Sequence, residues 1–436
     1  MPWPEAEAPS QDDSPAPGLD WNDGFQEVLE RVQEGGRCLF VTGKAGTGKS
    51  TLLQYLKRRV LGGAAVLAPT GVAAVHVGGQ TIHSFFRFPP QVLFPDAVAR
   101  FSGSGVFRRL RTLIVDEISM VRADVIDAMD QFLRRHGPEA GLPFGGVQMI
   151  FFGDLHQLPP VVSSHEAEAF ATLYESPWFF KARVFQRLAY DRVNLRKVYR
   201  QRDAGFLSLL NAVRSGEAEE EDLAALNGRV DAACDGPHVT LTATKVSADR
   251  MNLRELDRLD SPLAIFPAEV QGEFDPKAFP TDNPLALRAG AQVMFLKNNP
   301  GRWVNGTLGT VAGFEADAVW VDIHGAQGGT AGPARVEKAA WESVRYQLDA
   351  ATGKILPKTV GGFLQFPLKL AWAMTIHKSQ GKTFERVFID LGQGAFAHGQ
   401  SYVALSRCPS LEGISLKRPL TGRDLLLDPE VREFLG

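Results

Sequence analysis

The run Gly43-Lys44-Ala45-Gly46-Thr47-Gly48-Lys49-Ser50 decides the fold. It has the full form G-x-x-x-x-G-K-[ST], with glycines at both ends of the turn and Lys-Ser to close it. Glycine lets backbone N–H groups wrap a phosphate with no Cβ in the way. Residues 37–42 before the run are short and apolar, as a buried strand is. After it, Leu52, Leu53, Leu56 and Val60 recur on one helical face. Strand, glycine loop and helix N-terminus together make an anion site, because the helix end offers free N–H groups and partial positive charge. The pattern predicts nucleotide binding by Gly43, Ala45, Gly46, Thr47, Gly48, Lys49, Ser50 and Thr51. Lys49 would reach the β- and γ-phosphates of ATP, and the Ser50 hydroxyl would be a ligand for Mg²⁺.

Outward from this loop, apolar strands alternate with amphipathic helices, the pattern of a parallel α/β sheet. Residues 64–68, 113–115 and 147–152 read as further strands. Val125, Ile126, Met129, Phe132 and Leu133 fall at helical spacing. The strand at 113–115 ends in Asp116-Glu117. An acid at such a strand end faces the phosphates and holds the metal, the role expected of Asp116. A second acid beside it, Glu117, can orient and deprotonate an attacking water. That pair separates ATP-hydrolysing motors from P-loop kinases, which need no base for water. Hydrolysis also requires a γ-phosphate sensor and positive charge on the transition state. The candidates are Gln157, Arg200 in Val198-Tyr199-Arg200-Gln201, and Arg407 in Ala404-Leu405-Ser406-Arg407.

The chain has 436 residues, room for roughly two to four domains. Hydrophobic content of 44% and charged content of 22% are those of a globular protein. No apolar run reaches the about 18 residues of a membrane span. Residues 1–20 are rich in Pro, Ala and acids and lack a signal or transit pattern, so a disordered tail is expected. Together these features read as a soluble, cytoplasmic, prokaryotic protein. Cys38, Cys234 and Cys408 have no paired metal spacing and read as reduced thiols. A net charge of −3 gives no global pull toward nucleic acid, but a local basic channel needs none. The acidic run Glu217, Glu219, Glu220, Glu221 and Asp222 reads as a solvated face. Strand signals return at 238–243 and 291–296. Between 306 and 366 short strands alternate with Gly, Pro and Asp turns, as in a small β module inserted in a second α/β domain.

Several runs, in this order, resemble the Pif (petite integration frequency) helicases and their RecD-like relatives of superfamily 1. They are 43–51, Ala68-Pro69-Thr70-Gly71-Val72-Ala73-Ala74, Gly79-Gln80-Thr81-Ile82-His83-Ser84-Phe85, Asp116-Glu117-Ile118-Ser119-Met120 and Gly153-Asp154-Leu155-His156-Gln157-Leu158-Pro159-Pro160. Later come Thr375-Ile376-His377-Lys378-Ser379-Gln380-Gly381-Lys382-Thr383 and Tyr402-Val403-Ala404-Leu405-Ser406-Arg407. Residues 121–135, with Pro143-Phe144-Gly145-Gly146-Val147-Gln148, resemble the element that marks the Pif branch.

The resemblance implies two RecA-like parallel-sheet domains in tandem with ATP between them. The first would span 21–200 with a small insertion at about 84–106, and the second 201–305 and 366–436. An SH3-like β module would occupy 306–365. Gln26 falls near the family's adenine-reading glutamine. Arg407, Gln380 and Gly381 would complete the ATP site from the second domain. Pro69, Thr70, Thr81, His83, Ser84 and Phe85 would contact single-stranded DNA in the first domain, and His377 and Lys378 in the second. From the residues alone, His83 and His377 read first as satisfied core histidines, and Phe86 and Phe88 as core packing. Lys297 and Arg302 are further candidates for backbone phosphates.

The activity implied is an ATP-dependent DNA helicase moving 5′ to 3′ on single strands, acting on tailed or forked duplex, G-quadruplexes or DNA–RNA hybrids. It would act as a monomer, or as a dimer on DNA. The alternatives are a DNA-stimulated ATPase that remodels protein–DNA complexes, and a nucleotide-switched DNA-binding protein.

Overall fold

Six parallel strands carry the phosphate loop. In the computed structural model, the described residues are 21–35, 38–61, 64–98, 105–201, 203–234, 236–299, 301–324, 333–349 and 354–436. The expected tail at 1–20, Arg37 and residues 99–104 of the expected insertion lie outside them. The first sheet runs, edge to edge, Gln80–Thr81, Ala65–Ala68, Thr112–Val115, Gln148–Gly153, Cys38–Gly43 and Asp191–Leu195. Every residue of Cys38–Gly43, Ala65–Ala68 and Thr112–Val115 is buried, as in a sheet with helices on both faces. This order places the loop after Cys38–Gly43 beside the end of Gln148–Gly153, with Asp116 one strand further out. Ligands in such sheets bind outside the carboxyl ends of the strands.

A second parallel sheet has the order Ala373–Thr375, Val239–Thr242, Val387–Asp390 and Ile414–Leu416. Helices Ala204–Ser215 and Gln400–Leu405 pack on it through Phe206, Leu210, Val403 and Leu405.

The β module is wider than residues 306–365. Gln292–Phe295, read as part of the second α/β domain, instead pairs antiparallel with Leu308–Phe314 and with Leu368–Leu370. Glu269–Gly272 likewise pairs with Ile355–Gln365. The turn-rich segment does not complete its own sheets; strands on either side of it in sequence add to them. The long hairpin of Ala339–Leu348 and Ile355–Gln365 reaches the first domain. There the Tyr346 hydroxyl accepts from the Val66 N–H at 2.9 Å, and the Tyr346 N–H donates to the Gln80 side-chain oxygen at 3.0 Å.

The run 143–148 is a backbone device. The Phe144 N–H donates to Asp130 at 2.7 Å, and Gly145 sits at φ 62° against the end of helix Ala123–His136. A Cβ on Gly145 would overlap the Leu133 carbonyl. Gly145→Ala is therefore expected to destabilise the first domain by roughly 2 kcal/mol or more, as left-handed strain adds to a backbone clash. Urea unfolding monitored by circular dichroism measures it; an unchanged midpoint would contradict this reading.

Candidate active site

A cleft of about 560 Å³ opens between the carboxyl ends of the first sheet and the second domain. The loop 45–51, Glu117, Gln157 and Arg200 line it from one side, and Gly381, Thr383 and Arg407 from the other. Gly46 has φ 82°, and a Cβ there would stand 2.6 Å from the Arg200 Cβ. Glycine at this place is what lets Arg200 close over the loop. The Lys49 ammonium spans the loop, donating to the Gly43 carbonyl at 2.6 Å and the Lys44 carbonyl at 3.0 Å. Burial lowers its pKa, against the charges of Asp154, Glu117 and Asp116 that raise it.

Asp116 is 7% exposed, and burial followed by the Glu117 charge pushes its carboxyl up to about 7. A divalent cation beside such a carboxyl would draw it back to the ionised form. Ser50 lines the cleft, as does Glu117, the residue after Asp116. Among the described residues no group of three or more His, Cys, Asp or Glu could hold a metal. The carboxylate of Asp116 and the hydroxyl of Ser50 are the hard oxygen donors that Mg²⁺ takes one or two at a time beside substrate phosphates. Glu117 has φ 49° and ψ 47°, left-handed values rare for a residue with a side chain. Burial raises its pKa; Lys49 and Arg407 oppose that rise.

Arg407 is 1% exposed. Its guanidinium donates to the carbonyls of Val403 at 2.8 Å, Ser379 at 3.1 Å and Lys382 at 3.3 Å, and to the Ser406 hydroxyl at 2.7 Å. Arg200 reaches across from the first domain and donates to the Ser406 carbonyl at 3.1 Å. Burial, then repulsion from Arg200, lowers Arg407 to about 9. Two guanidinium groups from opposite domains and one ammonium thus converge on the cleft, an arrangement that a polyanion relieves. The Gln380 side chain donates to that of Gln157 at 3.4 Å, a further bridge across the cleft.

A family model of PIF1-like helicases matches residues 21–224. Pif1 of Bdellovibrio bacteriovorus, called an ATP-dependent DNA helicase, is 34% identical over 92% of this chain and 88% of its own length. Human PIF1, with the same description, is 36% identical over 94% of this chain, which spans only 62% of the human protein. A Bacteroides Pif1 structure in complex with ADP-AlF4 superposes with a TM-score of 0.86 at 33% identity, covering 95% of this chain and 96% of that one. The chain belongs to the PIF1-like helicase family. Its architecture is that of tandem RecA-like domains.

Other expected positions of this PIF1-like chain are placed unevenly. Thr81 and Thr375 play the same part in the two domains. Each hydroxyl caps a short helix, accepting from Ser84 N–H at 3.1 Å and Lys378 N–H at 3.2 Å, and each is followed by a buried Ile and a half-buried His. Burial lowers the pKa of both His83 and His377, so each is neutral at pH 7. Thr70 caps helix Gly71–His76 in the same way, Pro69 is half-buried beside it, and Ser84 is exposed. Lys378 is exposed, its pKa lowered first by Lys369 and then by burial. Lys369, which sequence reading missed, adds cationic charge there.

The remaining candidates differ in exposure. Phe85 is 7% exposed and packs edge-on against Phe86 and Phe107 at 5.0 and 5.2 Å, so its ring is covered. Phe86 and Phe88 stack at 5.1 Å in the same core, the packing role expected of them from the residues. Gln26 points to Trp21 and Glu30, exposed and outside the cleft lining; its neighbour Phe25 and Tyr199 line the cleft instead. Lys297 turns inward, donating to the Ala340 carbonyl and lying over the Trp341 ring, while Arg302 lies over Trp303. Cys38, Cys234 and Cys408 form no disulfide.

Proposed function

We propose that this chain is an ATP-dependent DNA helicase that converts cleft closure into 5′-to-3′ movement on single-stranded DNA. The observation that carries it is the meeting of Arg200 and Arg407, from opposite domains, over a loop that already holds Lys49. Neither domain alone has a complete site, so closure and catalysis become one event. Lys49 holds the phosphates, Ser50 and Asp116 would hold Mg²⁺, and Gln157 senses the γ-phosphate. Positive charge against the transferring phosphoryl group is what Mg²⁺ would supply there. Glu117 takes the proton of the attacking water, and the two arginines stabilise the charge that develops. Gly43, Ala45, Gly46, Thr47, Gly48 and Thr51 supply the backbone cradle, and Gln380 with Gly381 relay its state toward His377 and Lys378.

The matched Thr-Ile-His turns, one in each domain, support a single strand gripped at two points whose separation changes with closure. Hydroxyls and neutral imidazoles bind backbone without reading sequence. Tailed and forked duplexes, G-quadruplexes and DNA–RNA hybrids are the substrates to test, with a monomer as the working unit and a dimer on DNA as the alternative. Among the described residues no helix is long and apolar enough to cross a membrane. A translocase that strips bound proteins without unwinding is the second reading, favoured by the covered state of Phe85. Strand displacement from duplexes bearing only a 5′ or only a 3′ tail decides: the 5′-tailed duplex opens and the 3′-tailed one does not. Opening of the 3′-tailed duplex alone would reverse the polarity, and ATP turnover with neither opened would favour the translocase.

A further inference from the structure

Asp154 is fully buried, yet both of its carboxylate oxygens serve the second domain. Oδ1 accepts from the Arg214 guanidinium at 3.0 Å, and Oδ2 accepts from the Tyr402 hydroxyl at 3.4 Å. The same hydroxyl accepts from the Ala45 N–H of the phosphate loop at 3.0 Å. Arg214 stands on helix Ala204–Ser215 and Tyr402 on helix Gln400–Leu405, both packed into the second core. Ala45 and Asp154 belong to the first domain. These four groups form one junction across the domain boundary, and of them only Ala45 lines the cleft.

Burial would raise the Asp154 pKa, but Arg214, the His156 hydrogen bond and Lys49 hold it well below the usual carboxylate range. It is therefore a charge-assisted acceptor. Burial, then the Asp154 charge, pushes the Tyr402 phenol up, so it stays a neutral hydroxyl that can donate and accept at once. Arg407 follows five residues later, and its Nε donates back to the Val403 carbonyl at 2.8 Å. The guanidinium thus hangs from the same helical turn that Tyr402 ties to the loop.

Resting on the helicase reading above, we propose that Tyr402, seated by Asp154 and Arg214, is a positioning residue that registers Arg407 against the phosphate loop during hydrolysis. It touches no phosphate. Its loss misplaces a transition-state charge while leaving ground-state binding of ATP intact, and a small misplacement near the chemistry costs about 10²-fold.

The test uses the full chain with Tyr402→Phe, Asp154→Asn and the double variant. ATP hydrolysis with and without saturating single-stranded DNA is read beside KM for ATP and Tm. Tyr402→Phe is expected to lower kcat about tenfold or more, with KM within about twofold and Tm within a few degrees. The double variant should be no slower than the slower single variant, because the two residues act through one junction. An unchanged kcat in Tyr402→Phe overturns the proposal. So does a lowered kcat that comes with a matching loss of Tm and ATP affinity, and so do multiplicative losses in the double variant. If DNA fails to stimulate the wild type, the helicase reading falls, while the kcat comparison still decides the role of Tyr402.

Discussion

Lys49→Ala is expected to reduce ATP turnover by at least about 10³-fold while single-stranded DNA binding stays within a few-fold. The Lys49 ammonium is the cation that the loop itself contributes, held across its mouth by the Gly43 and Lys44 carbonyls. Glu117, Asp154 and Asp116 all act on it electrostatically. Alanine takes that cation from beside Glu117 and Asp116, and a triphosphate then meets a loop without the ammonium to hold it. Loss of a transition-state cation in phosphoryl transfer costs about 10³–10⁵ in rate. The Thr-Ile-His turns lie elsewhere, so DNA affinity in the absence of nucleotide should hold. Phosphate release and fluorescence anisotropy of a labelled strand measure the two. Turnover within tenfold of wild type would remove the loop from the nucleotide site.

Glu117→Gln should slow ATP cleavage by about 10²–10⁴-fold, the range a general base contributes. Gln is isosteric, so the left-handed backbone at φ 49° need not move. What is lost is the proton acceptor, and ATP stays bound between closed domains. DNA release should slow in parallel if closure grips the strand. The pH profile carries the sign. Burial raises the Glu117 carboxyl pKa, so the ionised base is lost as pH falls through that raised value. Wild-type turnover should fall on that acid side, whereas the residual rate of the Gln variant should be flat there. Single-turnover cleavage of radiolabelled ATP reads both. Near-normal cleavage would relieve Glu117 of the role of base.

The parts of this site legible from sequence are those set by short spacing. A phosphate loop is eight consecutive residues, and Asp116-Glu117 follow directly on the strand that presents them. Arg200 and Arg407 were legible only through the order of motifs, since 206 residues separate Arg200 from the Ser406 carbonyl it binds. The Tyr402–Asp154 contact spans 248 residues, and nothing in the local pattern of either announces the other. The β module was recognisable from its turns but not bounded by them. The edge partners Gln292–Phe295 and Glu269–Gly272 are chosen by long-range pairing, and their own composition suits either kind of sheet. Phe85 shows the opposite failure. The resemblance offers its ring to a DNA strand, but burial against Phe107 takes priority once the chain folds. Gln26 lies one residue from Phe25, which lines the cleft, and its amide donates to Glu30.

On the proposed function, one cleft, completed only when two domains meet, turns ATP hydrolysis into motion along a DNA strand. The measurement that tests it most directly is ATP hydrolysis and strand separation recorded together on a 5′-tailed duplex, for wild type and for Arg407→Ala. Hydrolysis is expected to be stimulated at least about tenfold by the single strand, with unwinding that stops when ATP is withheld. Arg407→Ala should lose both by about 10³-fold or more while still binding the tail. Hydrolysis indifferent to DNA, or unwinding that survives in Arg407→Ala, would contradict it.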